Sequence, residues 1–147
     1  MKIQDIMTRN PRAISPATPA REAARLMKEG NIGVLPVVEN ESSRKLVGIV
    51  TDRDLALRIV AEGKSADTPV RDVMSQGKLA TRKPDEDVDD AMETMASEQV
   101  RRLPVVDERG SLVGIVSQAD VVRKASNDKK AERTVERISE PGGQHSA

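Results

Sequence analysis

The 147-residue chain contains no cysteine and no phenylalanine, tryptophan or tyrosine, and its single histidine is His145. The lack of cysteine excludes disulfides, thiolate nucleophiles and thiolate metal sites. Without aromatic side chains, the core has to be filled by aliphatic residues and methionine. No base can be held by aromatic stacking, which disfavours single-stranded nucleic-acid binding. The chain also has no metal-ligand spacing, no glycine-rich phosphate loop and no nucleophile–base pair.

An excess of charge and a long apolar run are missing as well. The 24 basic residues balance the 24 acidic ones, which argues against a broad nucleic-acid surface but allows a local basic pocket. No apolar run approaches the roughly 18 residues of a membrane span, and the N-terminus has no signal-peptide core. We therefore expect a cytoplasmic protein that neither binds nucleic acid nor enters a membrane.

What the chain does contain is an internal repeat. Residues 46–50 and 112–116 both read Leu-Val-Gly-Ile-Val, and residues 35–38 and 103–106 both read Leu-Pro-Val-Val. Further upstream, Asp-Ile-Met-Thr at 5–8 returns as Asp-Val-Met-Ser at 72–75. Because the register holds within a residue or two, the pattern predicts two copies of one supersecondary unit, with any cleft between them occurring twice.

The repeat divides the chain into copy one at 1–66, copy two at 67–125, and a charged tail at 126–147 that we expect to be partly disordered. A short helix near 131–138 is predicted within the tail. Each copy is too short to bury a large core alone, so we expect the copies to share one.

The pattern of apolar residues predicts a helix, two strands and a second helix in each copy, after an extended segment at 3–14 or 70–81. In copy one, Thr18 and Pro19 resemble an N-cap and a first helical position, and Gly30 ends the helix. The predicted strands cover 34–38 and 46–50, then 103–106 and 112–116. The first helix of each copy has an apolar stripe, formed by Ala20, Ala23, Ala24 and Met27 and by Val88, Ala91, Met92 and Met95. The fold class is therefore mixed α/β (α+β).

Each second strand ends at a hydroxyl residue that is followed three positions later by an aspartate: Thr51 and Asp54, then Ser117 and Asp120. Free N–H groups at a helix start suit a phosphate, and a carboxylate one turn along can accept hydrogen bonds from two ribose hydroxyls. This combination is typical of a nucleotide site. The alternative is that Thr and Ser are ordinary N-caps and that Asp favours the helix dipole.

Two cations, Arg101 and Arg102, precede the strand at 103–106, where copy one has Gly33 and Val34. Unpaired cations facing a buried strand are costly. They therefore either face a ligand phosphate or point to solvent and pair with acids such as Glu98. The same two interpretations apply to Arg53, the candidate cation of copy one. This asymmetry predicts one good nucleotide site rather than two equal ones.

These motifs together resemble a tandem pair of cystathionine-β-synthase-type (CBS) domains, the Bateman module, over about residues 1–125, and in particular small stand-alone bacterial proteins of this type. The resemblance implies two sheets packed with pseudo-twofold symmetry. It also implies two clefts that take adenosyl ligands such as AMP, ADP, ATP, NAD or S-adenosylmethionine.

The resemblance further assigns roles to residues. It places Asp54 and Asp120 on the ribose, Thr51 and Ser117 near phosphate, and the base against segments 8–14 and 75–81. Arg101 and Arg102 occupy the place where the kinase-regulating gamma subunits of the family carry a phosphate-binding His-Arg pair.

We therefore expect a non-enzymatic module that binds an adenine nucleotide as a regulatory ligand, forms a homodimer and signals to a target protein. No catalytic residue, metal site or obligatory cofactor is predicted. The alternative is a dimerisation or docking scaffold whose clefts stay empty.

Overall fold

The computed structural model describes residues 1–139, with side chains described as far as 130. Its elements follow in the order β1 (Thr8–Arg9), α1 (Ala20–Gly30), β2 (Val34–Val38), β3 (Leu46–Thr51), α2 (Asp52–Leu55), α3 (Val88–Glu98), β4 (Arg102–Val106), β5 (Leu112–Ser117) and α4 (Gln118–Ser139). A π-helical stretch, Ala56–Val60, prolongs α2, and 3-10 turns lie at Ile3–Asp5 and Val70–Asp72. The predicted helix–strand–strand–helix order is confirmed in both copies.

Each copy contributes one antiparallel hairpin, and the two hairpins have the same register. Strand β2 pairs with β3 so that Leu35 is opposite Val50, and β4 pairs with β5 so that Leu103 is opposite Val116. Both ladders shift register at the same place, between the last two valines of the Leu-Pro-Val-Val motif. The repeat in sequence is therefore a repeat in structure.

The extended N-terminal segment of each copy pairs with the sheet of the other copy. Strand β1 adds to β5, with Thr8 opposite Ile115, so the larger sheet has the order β1-β5-β4. In the same way, Ser75 forms a bridge with Ile49 of β3. The two copies therefore exchange their leading segments.

A glycine in each second strand makes this exchange possible. A Cβ at Gly114 would lie 2.5 Å from Met7 Sδ and 3.0 Å from the carbonyl oxygen of Thr8. A Cβ at Gly48 would meet Met74 Sδ and the carbonyl oxygen of Ser75 at the same distances. Glycine within a strand marks a close approach of another backbone, which in this fold is the segment from the other copy.

The hydrophobic core is shared as the short length of each copy predicts. The cluster around Leu35 and Val50 of copy one is completed by Val70 and Met74 of copy two. The cluster around Leu103, Val105 and Val116 of copy two is completed by residues of copy one, Ile3 and Met7. Neither cluster can be assembled from residues 1–66 or 67–125 alone.

Some local expectations differ from the structure. Pro19 is the N-cap of α1 and not its first helical residue, because its ψ of 146° is extended, and Thr18 Oγ1 accepts a hydrogen bond from Ser15 N. The left-handed residue after α1 is Asn31 rather than Gly30. Ala24, placed on the apolar stripe of α1, is exposed.

The C-terminal part of the chain also differs. Helix α4 continues without a break from Gln118 to Ser139, so one long helix replaces the short separate helix predicted near 131–138. The disorder predicted for the last residues concerns positions 140–147, which lie outside the described residues. Within residues 1–139, no helix combines the length and the apolar character needed to cross a membrane.

Candidate functional site

Both strand-to-helix junctions form a capping box. In each box, the side chains of two residues three positions apart accept a hydrogen bond from the backbone N–H of the other residue. At the second junction, Ser117 N donates to Asp120 Oδ2 at 2.9 Å and Asp120 N donates to Ser117 Oγ at 3.1 Å. At the first junction, Thr51 N and Asp54 Oδ2 are 2.9 Å apart, and Asp54 N and Thr51 Oγ1 are 3.0 Å apart. The capping interpretation of these residues is therefore correct in both copies.

The cap leaves one oxygen of each carboxylate without a backbone partner. Asp120 Oδ1 lies 3.7 Å from Arg123 Nη1, and Asp54 Oδ1 lies 3.9 Å from Arg58 Nε. The two aspartate side chains are only 15% and 12% exposed, respectively. Because a carboxylate has about four lone-pair sites, capping and binding of a diol are compatible functions of one side chain.

The Asp120 junction opens into a cavity of about 260 Å³ between the two copies. The predicted residues Arg102, Ser117 and Asp120 all line it. The opposite wall comes from copy one, through the exchanged segment and strand β2. The full lining is Thr8, Pro11, Arg12, Ile32, Val34, Pro36, Arg102, Ile115, Ser117, Ala119, Asp120 and Arg123.

A second cavity of about 520 Å³ adjoins the first one at the start of α4. The two cavities share Arg102, Ser117, Ala119 and Arg123, and the second one adds Arg101 to its lining. The paired cavities, which we call the Asp120 cleft, thus gather four arginines at the N-terminus of a long helix. This concentration of positive charge suits a phosphate group.

Two of these arginines are not among the predicted phosphate-binding residues: Arg123 is outside the prediction altogether, and Arg12 is included only as part of segment 8–14, which is assigned to the base. Arg123 lies one helical turn beyond Asp120, a spacing that could have revealed it. Arg12 reaches the cleft only because its segment crosses to the other copy, and no local pattern indicates that crossing. In the structure, Arg12 Nη1 is 4.0 Å from Glu29 Oε2 of α1.

The first junction has a different environment. The carboxylate of Asp52 packs over Gly33, where a Cβ would lie 2.9 Å from Asp52 Oδ2. Copy two has Arg101 and Gln118 at these two positions, joined by the same backbone hydrogen bond. Arg53 is exposed and lies outside the Asp120 cleft. A phosphate contact by Arg53 therefore stays a prediction.

The architecture is that of a tandem pair of regulatory-type repeats sharing one core and enclosing a cleft between them. The CBS domain model matches residues 3–61 and 70–127, and the chain belongs to the CBS domain family.

The chain is similar to other CBS-domain proteins, as three examples show. The CBS domain-containing protein YhcV of Bacillus subtilis is 41% identical over 93% of this chain and 94% of its own. The structure of CBSX2 in complex with AMP has a TM-score of 0.74 and 29% identity, and the match covers 87% of this chain and 98% of that one. The CBS domain pair of MJ0100, in complex with 5′-methylthioadenosine and S-adenosyl-L-methionine, has a TM-score of 0.72 and 32% identity, with coverage of 84% and 98%.

Proposed function

We propose that this chain is a non-enzymatic regulatory module that binds an adenine nucleotide in the Asp120 cleft. The observation that carries the proposal is the meeting of a carboxylate, a long-helix N-terminus and four arginines in the two adjoining cavities of the Asp120 cleft. The complexes of CBSX2 with AMP and of MJ0100 with S-adenosyl-L-methionine support an adenosyl ligand.

The ribose is assigned to Asp120. Its Oδ2 caps the helix, while its Oδ1 lies near Arg123 in the cavity wall. A charge-assisted hydrogen bond to each of two vicinal hydroxyls would give the carboxylate selectivity for an intact ribose. Asp54 is the corresponding residue of the other copy, at a site where we expect weaker binding.

The phosphate is assigned to the arginines and to Ser117 at the start of α4. Arg102 and Arg123 line both cavities. Arg12 lines only the cavity of about 260 Å³, which we call the inner cavity, and Arg101 lines only the cavity of about 520 Å³, which we call the outer cavity. We therefore expect the first phosphate to lie near Arg102 and any further phosphate to lie near Arg101. Four arginines favour AMP, ADP, ATP or NAD over an uncharged adenosyl compound.

The adenine ring is assigned to the aliphatic part of the cleft. Ile32, Val34 and Pro36 of copy one and Ile115 of copy two form this wall. Because the chain has no aromatic residue, the ring would lie between aliphatic side chains and backbone. Affinity for the base would then come from buried apolar area rather than stacking.

The biological output is regulation of a target protein by a cytoplasmic homodimer. Val60 beside α2 and Val122 on α4 are the most exposed large apolar residues of the described helices. Val122 lines the Asp120 cleft, so the surface that we assign to a partner is the one that carries Val60 and Leu57. The alternative function, a scaffold with empty clefts, would use the same surface without a ligand.

Titration calorimetry of the full chain against AMP, ADP, ATP, NAD and S-adenosylmethionine tests the proposal. We expect a phosphate-bearing nucleotide to bind at one principal site per chain, more tightly than adenosine. The Asp120→Asn variant removes the negative charge and should weaken that binding, while Asp54→Asn serves as the matched control. If no member of the panel binds, the scaffold function is favoured and the sensor function is wrong.

A further inference from the structure

A third cavity, of about 640 Å³, lies at the opposite end of the hairpins from α4. It is formed where the turn between β2 and β3 meets the turn between β4 and β5, beside the end of β1. We call it the turn cavity. None of the seven residues predicted to contact the ribose or the phosphate lines it, although Arg9 and Asn10 belong to segment 8–14, which the resemblance places against the base.

Hydrogen bonds between the two turns hold the walls of the cavity together. Leu46 N donates to the carbonyl oxygen of Gly110 at 3.1 Å, and Leu112 N donates to the carbonyl oxygen of Arg44 at 2.8 Å. Ser111 Oγ adds a bond of 2.7 Å to the carbonyl oxygen of Ser43. These reciprocal bonds also identify Arg44 and Gly110 as equivalent positions of the two copies.

The turn cavity carries a net positive charge, since four cations and one acid line it. Arg9, Arg44, Lys45 and Arg109 line it, and none of them forms an ion pair within residues 1–130. The one acid in its wall is Asp107, whose Oδ1 already accepts hydrogen bonds from the backbone N–H groups of the second turn. Ser42 adds a hydroxyl donor to the lining, whereas the hydroxyls of Ser43 and Ser111 already donate to Glu39 and to the carbonyl oxygen of Ser43.

Arg44 is the residue that most clearly indicates a ligand. Its φ of 50° lies in the left-handed region, whereas the equivalent residue of copy two is a glycine with φ of 81°. Glycine adopts this conformation without strain, but an arginine does so at a cost. Strain of this kind persists at functional sites.

The side chain of Arg44 also has an unused donor. Its Nη2 donates to the carbonyl oxygen of Pro11 at 2.8 Å. Its Nε is buried and has no hydrogen-bond partner in the described part of the chain. Because this Nε is buried, a phosphate oxygen would bind through the Nη groups of Arg44, which lines the turn cavity.

The positions related to this lining by the pseudo-twofold symmetry do not carry the same charge. The position of Arg9 is taken in copy two by Gln76, which follows the repeated Asp-Val-Met-Ser motif, and that of Arg44 is taken by Gly110. By the same equivalence, Lys45 corresponds to Ser111 and Arg109 to Ser43, so none of the four cations has a basic counterpart on the other side. The charge is a property of this one cavity and not of the repeat.

We propose that the turn cavity is a second anion site, distinct from the Asp120 cleft, that binds the phosphate groups of a pyrophosphate-type ligand. Arg44 and Arg9 provide the guanidinium groups, and Lys45 and Arg109 add charge at the rim. The site does not depend on nucleotide binding in the Asp120 cleft.

The test is a titration of the isotopically labelled full chain with sodium pyrophosphate, followed by the backbone amide resonances. Amides of Asn10, Ser43 and Gly110 report on the turn cavity, and those of Ser117 and Asp120 report on the cleft. Arg44→Gly copies the glycine of the other repeat, and Arg9→Gln copies its glutamine. Lys64→Gln, which removes one exposed charge far from either set of lining residues, is the control.

We expect pyrophosphate to shift the turn amides of the wild type and of Lys64→Gln with equal affinity. In Arg44→Gly the affinity should fall about tenfold or more, because a charge-assisted contact is lost. The melting temperature of this variant should change little, since relief of the backbone strain offsets loss of the hydrogen bond from Arg44 Nη2 to Pro11. A loss of affinity without a loss of thermal stability would separate a binding role of Arg44 from a structural one.

Three results would overturn the proposal. One is a shift confined to Ser117 and Asp120, which would leave the nucleotide cleft intact as a hypothesis. Another is an equal loss of pyrophosphate affinity in Lys64→Gln and Arg44→Gly, which would indicate nonspecific electrostatic attraction. The third comes from a parallel titration with ATP: turn amides that respond to ATP but not to pyrophosphate would make the cavity part of the nucleotide site.

Discussion

At the scale of single residues, Asp120 combines the cap and the cleft position that sequence analysis treats as alternatives. The structure places it in a capping box and in a cavity wall at once. The Ser/Thr-x-x-Asp spacing alone cannot identify a capping residue as a ligand-binding residue as well, because both functions need the same spacing. The repetition of the motif in both copies does not separate them either, since Thr51 and Asp54 form the same cap.

Replacing Asp120 by alanine should therefore reduce both stability and nucleotide binding. Loss of the cap is expected to lower the free energy of unfolding by about 0.5–2 kcal/mol. Loss of the ribose contacts, at about 1.5–3 kcal/mol each, should weaken nucleotide binding at least tenfold. Calorimetry and thermal melting measure the two effects separately.

The matched control is Asp54→Ala, which removes an equivalent cap at the first junction. We expect a similar loss of stability but a smaller effect on binding in the Asp120 cleft. Equal losses of affinity in the two variants would mean that binding responds to stability alone, and the ribose assignment of Asp120 would then be wrong.

Arg102 and Arg101 should differ in which phosphate they affect. Arg102 lines the inner and the outer cavity, so Arg102→Ala should weaken the binding of AMP and ATP and leave the binding of adenosine nearly unchanged. Arg101 lines only the outer cavity, so Arg101→Ala should weaken ATP more than AMP. Because both arginines are exposed, AMP binding should also weaken as salt rises. An equal loss of affinity for adenosine and AMP would mean that the arginine shapes the pocket and does not contact the phosphate.

At the scale of secondary structure, local patterns predict the elements well and their partners poorly. The Leu-Pro-Val-Val and Leu-Val-Gly-Ile-Val motifs predict hairpins that the structure contains, since alternation and apolar runs are local signals. The pairing of Thr8 with Ile115 joins residues more than one hundred positions apart, and no local signal specifies it. The one available hint is the glycine inside each second strand, which indicates the close approach of a backbone without saying which backbone.

Gly114→Ala should test this contact between elements. The new methyl group would collide with Met7 Sδ and approach the carbonyl oxygen of Thr8, and overpacking of this kind costs about 1–3 kcal/mol. Because Thr8 also lines the Asp120 cleft, nucleotide affinity should fall together with stability. Denaturant unfolding and calorimetry on the same samples check both effects.

Two glycine variants serve as controls. Gly48→Ala should destabilise the protein by a similar amount, through Met74 and Ser75, with less effect on the Asp120 cleft. Gly30→Ala meets no atom closer than 3.5 Å, at Ile32 Cγ1, and should be neutral or stabilising. A fully stable Gly114→Ala protein would contradict the tight packing of the exchanged segment.

At the scale of the whole molecule, association through exposed apolar helix residues is expected. Val60 is 77% exposed, and Leu57 on the same stretch is 47% exposed. We predict that the full chain sediments as a dimer and that Val60→Glu shifts it towards the monomer without unfolding it. A wild-type chain that remains monomeric at high concentration would refute the homodimer and leave the nucleotide assignment untouched.

The shared core predicts that the copies cannot be separated at the boundary that the repeat indicates. A fragment of residues 1–66 lacks Val70 and Met74, which complete its own cluster, and it exposes Ile3 and Met7, which belong to the other one. It also lacks the carbonyl of Thr68, which accepts a hydrogen bond from the first residue of α1. We therefore expect this fragment to be unfolded or self-associated under conditions in which the full chain is folded.

A longer fragment separates the effect of the exchanged segment from that of chain length. Residues 1–78 keep Val70, Met74 and the bridge from Ser75 to Ile49, so circular dichroism and sedimentation should show more structure than for 1–66. Mixing 1–66 with 67–147 should restore a folded complex, because each fragment provides the segment that the other one lacks. A folded, monomeric 1–66 fragment would show that twelve further residues of copy two are dispensable, and the exchange would then be a consequence of folding rather than a requirement for it.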